Sequence, residues 1–279
     1  MVVILAALWP AVGTATVTVP EEVAFRTLHP DGTMLRGFLV RPAGEGPFPV
    51  VLLLHGCSGP LTRSGQIAAR ERVWMELLAA EGYATFLLDS FNPRGIASIC
   101  TQGDRPISAE EDRPFDAYAA LGWLRNQPFA DPNRIAIFGW SHGAMTTLAA
   151  ISAAVIEKVG WSGPGFRTAV AFYPGCLAAS KTAYRTDVPM LMQLGGKDDW
   201  TPARYCHRLV DMLRHDGRDI AVDTYPGAYH AFDNPSGEVR QRRINSGGGE
   251  RAVHVGANPV ARKKAIARTK EWLADRLRR

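Results

Sequence analysis

Short runs of apolar residues alternate with helical patterns of apolar and polar positions along most of the chain. Continuous apolar runs are typical of strands buried on both faces, whereas apolar positions three and four residues apart are typical of helices packed on a sheet. The alternation predicts a single α/β domain with a mostly parallel, doubly wound sheet and helices on both faces. The predicted strands are residues 22–28, 34–40, 48–54, 84–88, 134–138, 168–172, 190–194 and 220–224. The predicted helices include residues 117–124, 144–151, 203–213 and 259–278, and a further helix after strand 48–54 has Trp74, Leu77 and Leu78 as its apolar stripe.

Two segments depart from this alternation. Residues 22–28 and 34–40 have a mixed polar pattern on either side of Pro30-Asp-Gly32, which predicts an antiparallel hairpin at the edge of the sheet. Gly247-Gly-Gly249 lies between arginine-rich flanks. These three glycines and their arginine-rich flanks predict a mobile loop, because consecutive glycines have little reason to order.

The composition, with 46% apolar and 21% charged residues, is that of a globular protein of 279 residues. Residues 1–15 are apolar or small and uncharged, so we expect them to be a signal peptide or an apolar N-terminal segment, with the domain at residues 16–279. A signal peptide would give a periplasmic or secreted protein; the missing basic residues make the cytoplasm the alternative. Beyond this segment no apolar run reaches the roughly 18 to 20 residues that span a bilayer, so we expect no stable membrane insertion.

The formal net charge of +5 is concentrated near the C-terminus, where residues 236–279 contain 12 Lys or Arg and four Asp or Glu. Nucleic-acid binding is one interpretation, but no binding motif and no interleaving of aromatic and basic residues accompany the charge. We therefore expect no nucleic-acid partner, and the basic residues are interpreted as the solvent face of a docked helix. The apolar positions at helical spacing are Ala265, Ile266, Thr269, Trp272, Leu273 and Leu277.

Gly139-Trp-Ser-His-Gly143 follows an apolar strand and precedes a helix-forming stretch. In that context a G-x-S-x-G pattern is typical of a nucleophile elbow, a tight turn that holds the serine near positive φ and presents its hydroxyl. The N-terminus of the following helix directs its free N–H groups toward the serine oxygen. Ser141 is therefore the predicted nucleophile, and a purely structural turn is the alternative.

A serine hydroxyl attacks a carbonyl carbon only when a base takes its proton and a third group orients that base. After such an elbow, an acid and then a histidine are expected at the ends of later strands. Asp198 and Asp199 follow strand 190–194, and His230 follows strand 220–224. His230 is the predicted base and Asp198 the predicted acid. Asp199 is interpreted as a helix cap or a supporting residue, and the opposite assignment of the two aspartates stays open.

A tetrahedral intermediate also requires N–H donors for its oxyanion. The residue after the nucleophile, His142, supplies one such group. His55-Gly-Cys-Ser-Gly59 ends the strand at 48–54, and its glycines let the backbone fold over the site. The N–H of Cys57 is the predicted second donor, with the N–H of Ser58 as the alternative.

Seven short segments of the chain carry a family resemblance. They are Leu54-His-Gly-Cys-Ser-Gly59, Asp89-Ser-Phe-Asn-Pro-Arg-Gly95, Asp116-Ala-Tyr-Ala-Ala-Leu121, Gly139-Trp-Ser-His-Gly143, Phe172-Tyr-Pro-Gly-Cys176, Gly195-Gly-Lys-Asp-Asp-Trp-Thr-Pro202 and Tyr229-His-Ala-Phe-Asp233. Together they resemble the dienelactone hydrolase family of α/β-hydrolases over residues 22–275. The resemblance implies a single-domain α/β-hydrolase fold, the triad Ser141, Asp198 and His230, and a reaction that uses no cofactor and no metal.

The chain differs from the founding members of that family at two places. Those enzymes use a cysteine nucleophile and a glutamate at the end of the strand before the oxyanion loop. This chain has Ser141 and His55 at those two places, and its oxyanion loop is residues 56–59. The resemblance therefore implies a general serine hydrolase that cleaves a small-molecule carboxylic ester or lactone through an acyl-enzyme. A peptidase, a thioesterase and a non-catalytic scaffold are the alternatives, because fold does not fix substrate.

The resemblance suggests two further site residues and a pairing of the cysteines. Arg94 lies near the place where family members hold an anionic substrate, and bracing a loop is its other interpretation. Trp200 beside the acid is interpreted as lining the acyl pocket or as simply packing. The cysteines fit no zinc motif, and of the three connectivities the resemblance favours Cys57–Cys100 with Cys176–Cys206. Two disulfides would agree with an oxidising compartment, whereas free buried cysteines would agree with the cytosol. The oligomeric state stays open.

Overall fold

The computed structural model of the protein describes residues 20–246 and 249–278. The expected signal peptide at residues 1–15 lies outside these residues, as do the first two glycines of the predicted loop. Ten strands are described: β1 (Glu21–Arg26), β2 (Met34–Val40), β3 (Phe48–Leu54), β4 (Ala84–Asp89), β5 (Ala130–Trp140), β6 (Thr168–Phe172), β7 (Met190–Gly195), β8 (Ile220–Tyr225), β9 (Arg240–Ser246) and β10 (Gly249–Val255). The helices are α1 (Ala69–Ala80), α2 (Arg113–Arg125), α3 (His142–Ala150), α4 (Ala153–Val159), α5 (Ala203–His215) and α6 (Pro259–Leu277).

The first eight strands form one sheet in the order β1-β2-β4-β3-β5-β6-β7-β8. The β1–β2 and β2–β4 pairs are antiparallel, and β3 to β8 pair in parallel, with β4 parallel to β3. The predicted edge hairpin and the mostly parallel sheet are thus confirmed. Because the carboxyl ends of parallel strands lie along one edge of a sheet, the segments after β3, β5, β7 and β8 converge there.

Helices cover both faces of the sheet, each over its own apolar core. On one face α2, α3 and α5 pack on the alternate residues of the central strands, including Leu52 and Ile137. On the other face α1 and α6 pack on the intervening residues, including Leu53 and Phe138. Because side chains alternate across a strand, the continuous apolar runs supply both cores at once. The predicted C-terminal helix is docked as expected, with Ala265, Trp272 and Leu273 buried.

One helix and one hairpin were not predicted. The short helix α4 follows α3 directly, and the flanks of the predicted glycine loop form the antiparallel hairpin β9–β10. The prediction of a mobile loop is therefore wrong for the flanks and for Gly249, which belongs to β10. Ile244 and Val253 are buried, and Val255 forms an isolated bridge with His230. These tertiary contacts order a segment whose polar, arginine-rich sequence gives little local preference for a strand.

Within residues 20–246 and 249–278, no helix is both long and apolar enough to cross a bilayer.

Candidate active site

Ser141 occupies the turn between β5 and α3 at φ 52°. The backbone is packed so closely there that a Cβ at position 139 would lie 2.2 Å from the carbonyl oxygen of Gly143, and one at Gly143 would lie 2.1 Å from that of Leu54. Both flanking positions therefore require glycine. The N–H of Ser141 donates to the carbonyl oxygen of Phe172 at 2.9 Å, which ties the elbow to the end of β6.

The structure brings together the serine, the histidine and one of the two aspartates. His230 Nε2 lies 2.9 Å from Ser141 Oγ, and His230 Nδ1 lies 2.8 Å from Asp198 Oδ2. The two contacts form a continuous chain from hydroxyl to carboxylate, although the residues come from three separate loops. All three side chains are buried, with Ser141 9% exposed. This is the geometry in which a histidine can accept the serine proton while the carboxylate orients its ring.

Thr201 supports the carboxylate of Asp198, at the end of this row of hydrogen bonds. Its hydroxyl lies 2.9 Å from Asp198 Oδ2 and 3.0 Å from the carbonyl oxygen of Tyr173, and it is 3.1 Å from His230 Nδ1. The other carboxylate oxygen of Asp198 accepts the backbone N–H groups of Trp200 and Thr201. Sequence reasoning missed Thr201, although the spacing Asp-x-x-Thr after a strand is a signal for such a turn.

The second aspartate of the loop has a different partner. Asp199 accepts hydrogen bonds from the backbone N–H and from Nδ1 of His254 in β10, at 2.8 and 2.7 Å. It does not cap α5, which begins after Pro202 without a side-chain cap. The hydrogen bonds with His254 lower the pKa of Asp199, against the effect of burial. Asp199 therefore anchors the β9–β10 hairpin to the loop that carries Asp198.

The two predicted oxyanion donors lie at the ends of adjacent strands. Cys57 follows β3 and His142 opens α3, and β3 pairs with β5. Among the described residues, neither backbone N–H donates to a protein acceptor. The same is true of the N–H of Ser58, so the alternative donor stays open. Free N–H groups beside a nucleophile are what a developing oxyanion requires.

Both predicted disulfides are present, and this prediction is confirmed. Cys57 is bonded to Cys100, and Cys176 to Cys206. The first bond holds the oxyanion loop against the segment after β4, where Phe91, Ile99 and Ile107 complete a small apolar cluster with the two cysteines. The second disulfide, Cys176–Cys206, joins the segment after β6 to the first turn of α5 and does not involve the oxyanion loop.

Removing the first disulfide is expected to cost both stability and rate. The bond closes a loop of 43 residues, so the variant Cys57→Ala/Cys100→Ala should lose up to about 4 kcal/mol of unfolding free energy. Ester turnover at a temperature where it is still folded should also fall, because the Cys57 N–H becomes mobile. The matched control Cys176→Ala/Cys206→Ala should lose similar stability and keep its turnover. Thermal unfolding and initial rates measure the two effects, and equal turnover in both variants would contradict the role of the first bond.

Asp233 organises the loop that carries His230. Its buried carboxylate accepts hydrogen bonds from Trp74 Nε1 at 2.9 Å, from Trp140 Nε1 at 2.8 Å and from the hydroxyl of Tyr173 at 2.5 Å. Burial raises the pKa of Tyr173 well above its ordinary value, so its hydroxyl stays protonated and can donate. The carboxylate thereby joins the loop after β8 to α1, β5 and the end of β6. The sequence contained Asp233 within a family motif but gave no sign of its three partners.

A cavity of about 320 Å³ opens directly onto the serine and the histidine. Trp200 lines it, with its ring centroid 4.7 Å from that of His230, so this residue both packs and forms a wall. Arginines also line the cavity. Arg70 is paired with the buried Glu71, whereas Arg240 and Arg242 from β9 have no acidic partner among the described residues. Burial, together with the charge of Arg240, lowers the pKa of Arg242.

Arg94 does not line this cavity. Its guanidinium binds Asp116 through two contacts of 2.8 and 2.9 Å, and it also donates to Asp31 and to the carbonyl oxygen of Ser90. This arrangement agrees with the loop-bracing interpretation and not with a place at the substrate.

His55 is fully buried, and burial keeps its pKa well below the ordinary value. The His55 ring is therefore neutral, and it does not replace the negative charge of the glutamate that the founding family members have at this position.

In the described part of the chain, no group of three or more His, Cys, Asp or Glu side chains is arranged to hold a metal ion.

The fold and the site define a class of protein. A mostly parallel sheet with a serine at positive φ after β5, an aspartate after β7 and a histidine after β8 is the arrangement of an α/β-hydrolase.

Comparison with known proteins identifies the family. The model of the dienelactone hydrolase family matches residues 35–277, and the chain therefore belongs to that family. The chain is 26% identical over 259 residues to the uncharacterized peptidase YuxL of Bacillus subtilis, covering 82% of this chain and 38% of YuxL. It is 27% identical over 266 residues to the esterase FrsA of Escherichia coli, covering 89% of this chain and 58% of FrsA. The chain thus spans less than two thirds of the length of both relatives.

A solved structure shows the same fold. The crystal structure of a dienelactone hydrolase-like promiscuous phosphotriesterase from metagenomic libraries aligns with a TM-score of 0.64 at 18% sequence identity. The alignment covers 93% of this chain and 99% of that chain. The predicted single-domain α/β-hydrolase fold and the predicted family are both confirmed.

Proposed function

We propose that the protein is a serine hydrolase that cleaves a carboxylic ester or lactone bond through an acyl-enzyme. The observation that carries this proposal is the continuous hydrogen-bonded chain from Ser141 through His230 to Asp198, with contacts of 2.9 and 2.8 Å, at the floor of an open cavity. The esterase among its relatives, FrsA, supports the same reaction class.

In the proposed reaction each of these residues has a role. His230 Nε2 takes the proton of Ser141 as Oγ attacks the carbonyl carbon, and Asp198 stabilises the imidazolium that forms. The N–H groups of Cys57 and His142 hold the oxyanion of the tetrahedral intermediate. His230 then returns the proton to the leaving alkoxide, and in the second half of the reaction it activates the water that releases the acyl group.

A labelling experiment tests this proposal. The wild-type protein is incubated with a fluorophosphonate probe and digested, and its peptides are analysed by mass spectrometry, in parallel with turnover of short p-nitrophenyl esters. A single adduct on Ser141 and ester turnover that the probe abolishes are expected. An unlabelled protein without turnover would point to the non-catalytic scaffold, and an adduct on another residue would refute the assignment of the nucleophile.

A comparison of substrate classes separates the esterase from its enzymatic rivals. YuxL is named as a peptidase, and a triad of this kind cleaves amides and thioesters as well as esters. Amino-acyl p-nitroanilides and acyl thioesters of matched chain length are therefore assayed beside the esters. A higher kcat/KM for either class than for the esters would replace the ester in this proposal.

Because Arg240 and Arg242 line the cavity, we expect the enzyme to prefer esters with a negative charge. Arg242→Gln should raise the KM for the p-nitrophenyl monoester of succinic acid about tenfold, the value of one charge-assisted contact. The KM for the neutral p-nitrophenyl butyrate should change little. Arg243→Gln is the matched control, because Arg243 lies on the same strand, is exposed and faces Glu250. If both variants treat the two esters as the wild type does, the arginines do not select the substrate.

We also propose that the protein works in an oxidising compartment, the periplasm or the cell exterior. The two disulfides support this assignment, because such bonds are rare in reducing compartments. Thiol titration of protein isolated from its native host and denatured without reductant tests it. Four free thiols would contradict it.

A further inference from the structure

Arg113, the first residue of α2, carries a buried charge beside the oxyanion loop. Its side chain is fully buried, with an exposed fraction of 0%. It forms no ion pair with a carboxylate in the described part of the chain, since its neighbour Asp116 is bound by Arg94. The guanidinium lies over the ring of Phe91, with Arg113 Cζ 5.2 Å from the ring centroid. A buried charge without an ion pair is costly, so its position calls for a functional reason.

The contacts of Arg113 suggest that reason. Its Nη1 donates to the carbonyl oxygen of His55 at 3.0 Å and lies 2.9 Å from Nδ1 of His142. His55 leads into the loop that presents the N–H of Cys57, and His142 presents the other N–H of the oxyanion hole. One nitrogen atom of Arg113 therefore connects the two segments that carry the two donors.

The charge of Arg113 also fixes the state of His142. A guanidinium donates hydrogen bonds but cannot accept them, so His142 Nδ1 must be the acceptor and the ring proton must lie on Nε2. Burial, followed by the charge of Arg113, holds the pKa of His142 well below its ordinary value, and the ring is neutral. Burial also lowers the pKa of Arg113, to about 10, which leaves the guanidinium charged at neutral pH.

We propose that Arg113 is a positioning residue for the oxyanion hole: it sets the spacing of the Cys57 and His142 N–H groups and adds a fixed positive charge behind them. This inference rests on the proposed serine-hydrolase function. The guanidinium contacts the backbone and a side chain of the hole and does not touch the substrate. Its contribution grows as negative charge develops on the carbonyl oxygen, so it favours the transition state over the bound ester.

Two variants of Arg113 test the proposal. Arg113→Met keeps much of the volume without the charge, and Arg113→Lys keeps the charge without the planar geometry. The methionine variant should lose about 10- to 100-fold in kcat for a p-nitrophenyl ester, somewhat less than the loss of a direct oxyanion donor, while KM stays within about threefold. The Ki of a phenylboronic acid, which forms a tetrahedral anionic adduct on the serine, should rise by the same factor. The lysine variant should lie between the methionine variant and the wild type.

Tyr118→Phe is the matched control for general damage to α2. Tyr118 is buried on the same helix and donates to the carbonyl oxygen of Ala150, away from the oxyanion loop. This variant should unfold at a lower temperature and keep the kcat and the Ki of the wild type. A methionine variant that is destabilised but otherwise behaves as this control would show that Arg113 is merely structural and would overturn the proposal.

The tautomer of His142 provides a test that does not depend on whether the Arg113 variants fold. In ¹⁵N NMR spectra of the wild type, assigned with His142→Gln, we expect His142 to be protonated on Nε2. Protonation on Nδ1 would overturn the proposal. Wild-type protein labelled at Ser141 by the fluorophosphonate, together with unchanged Arg113 variants, would refute this inference alone; unlabelled wild-type protein would refute the proposed function itself.

Discussion

Replacing Ser141 with alanine is expected to lower kcat for short p-nitrophenyl esters by about 10⁴- to 10⁶-fold. In the proposed mechanism the serine oxygen forms the acyl bond, so without it no acyl-enzyme forms, and only the weak effects of binding and of the oxyanion donors remain. The elbow itself should persist, because its backbone is held by the flanking glycines and by the bond to Phe172 rather than by the hydroxyl. Initial rates and fluorophosphonate labelling measure the loss.

Ser152→Ala serves as the control for this variant. Ser152 is also a buried serine, but it precedes α4 and does not line the active-site cavity. Its variant should keep the wild-type kcat and the phosphonate adduct. If Ser141→Ala retains more than about one hundredth of the wild-type kcat, Ser141 is not the nucleophile.

Replacing Asp198 with asparagine is expected to lower kcat by about 10⁴-fold. The amide keeps the shape of the carboxylate, but it cannot stabilise the imidazolium, and its NH₂ group can impose the wrong tautomer on His230. The hydrogen bonds from the backbone of Trp200 and Thr201 can still be accepted by the amide oxygen, so the loop should keep its conformation. The loss should therefore appear in kcat with little change in the unfolding temperature.

Asp199→Asn separates the two adjacent aspartates. Asp199 accepts from His254 and anchors the β9–β10 hairpin, so its variant should leave kcat for a neutral ester within a few-fold of the wild type. A loss of about 10⁴-fold in Asp199→Asn with a mild effect in Asp198→Asn would reverse the assignment of the acid.

The strands and helices were predictable because their patterns are local. Each central strand is a continuous apolar run that has to be buried on both faces, and the structure places β3, β6 and the start of β7 at the predicted residues. The hairpin β9–β10 was not predictable in this way. Its strands are rich in arginine and become ordered through contacts with distant segments, such as the bond from His254 to Asp199.

The residues of the candidate site also differ in whether a local motif could predict them. The elbow motif and the order of strands pointed to Ser141, Asp198 and His230, and the structure places these side chains within hydrogen-bonding distance. Their supporting residues carry no comparable motif. Thr201 and Asp233 act through partners in other loops and elements, and sequence spacing does not reveal such contacts.

The sequence by itself determined the class of fold, the order of the chemical groups and the pairing of cysteines that the family resemblance suggested. The class of fold and the order of the groups depend on hydrophobic periodicity and on short motifs whose backbone requirements are local, whereas the pairing of the cysteines was implied only by the resemblance. The tertiary structure alone decided that Arg94 braces a loop, that Arg240 and Arg242 line the cavity and that Arg113 contacts both His55 and His142. An arginine side chain is long and its partner can come from any part of the chain, so its role is decided by what folding brings beside it.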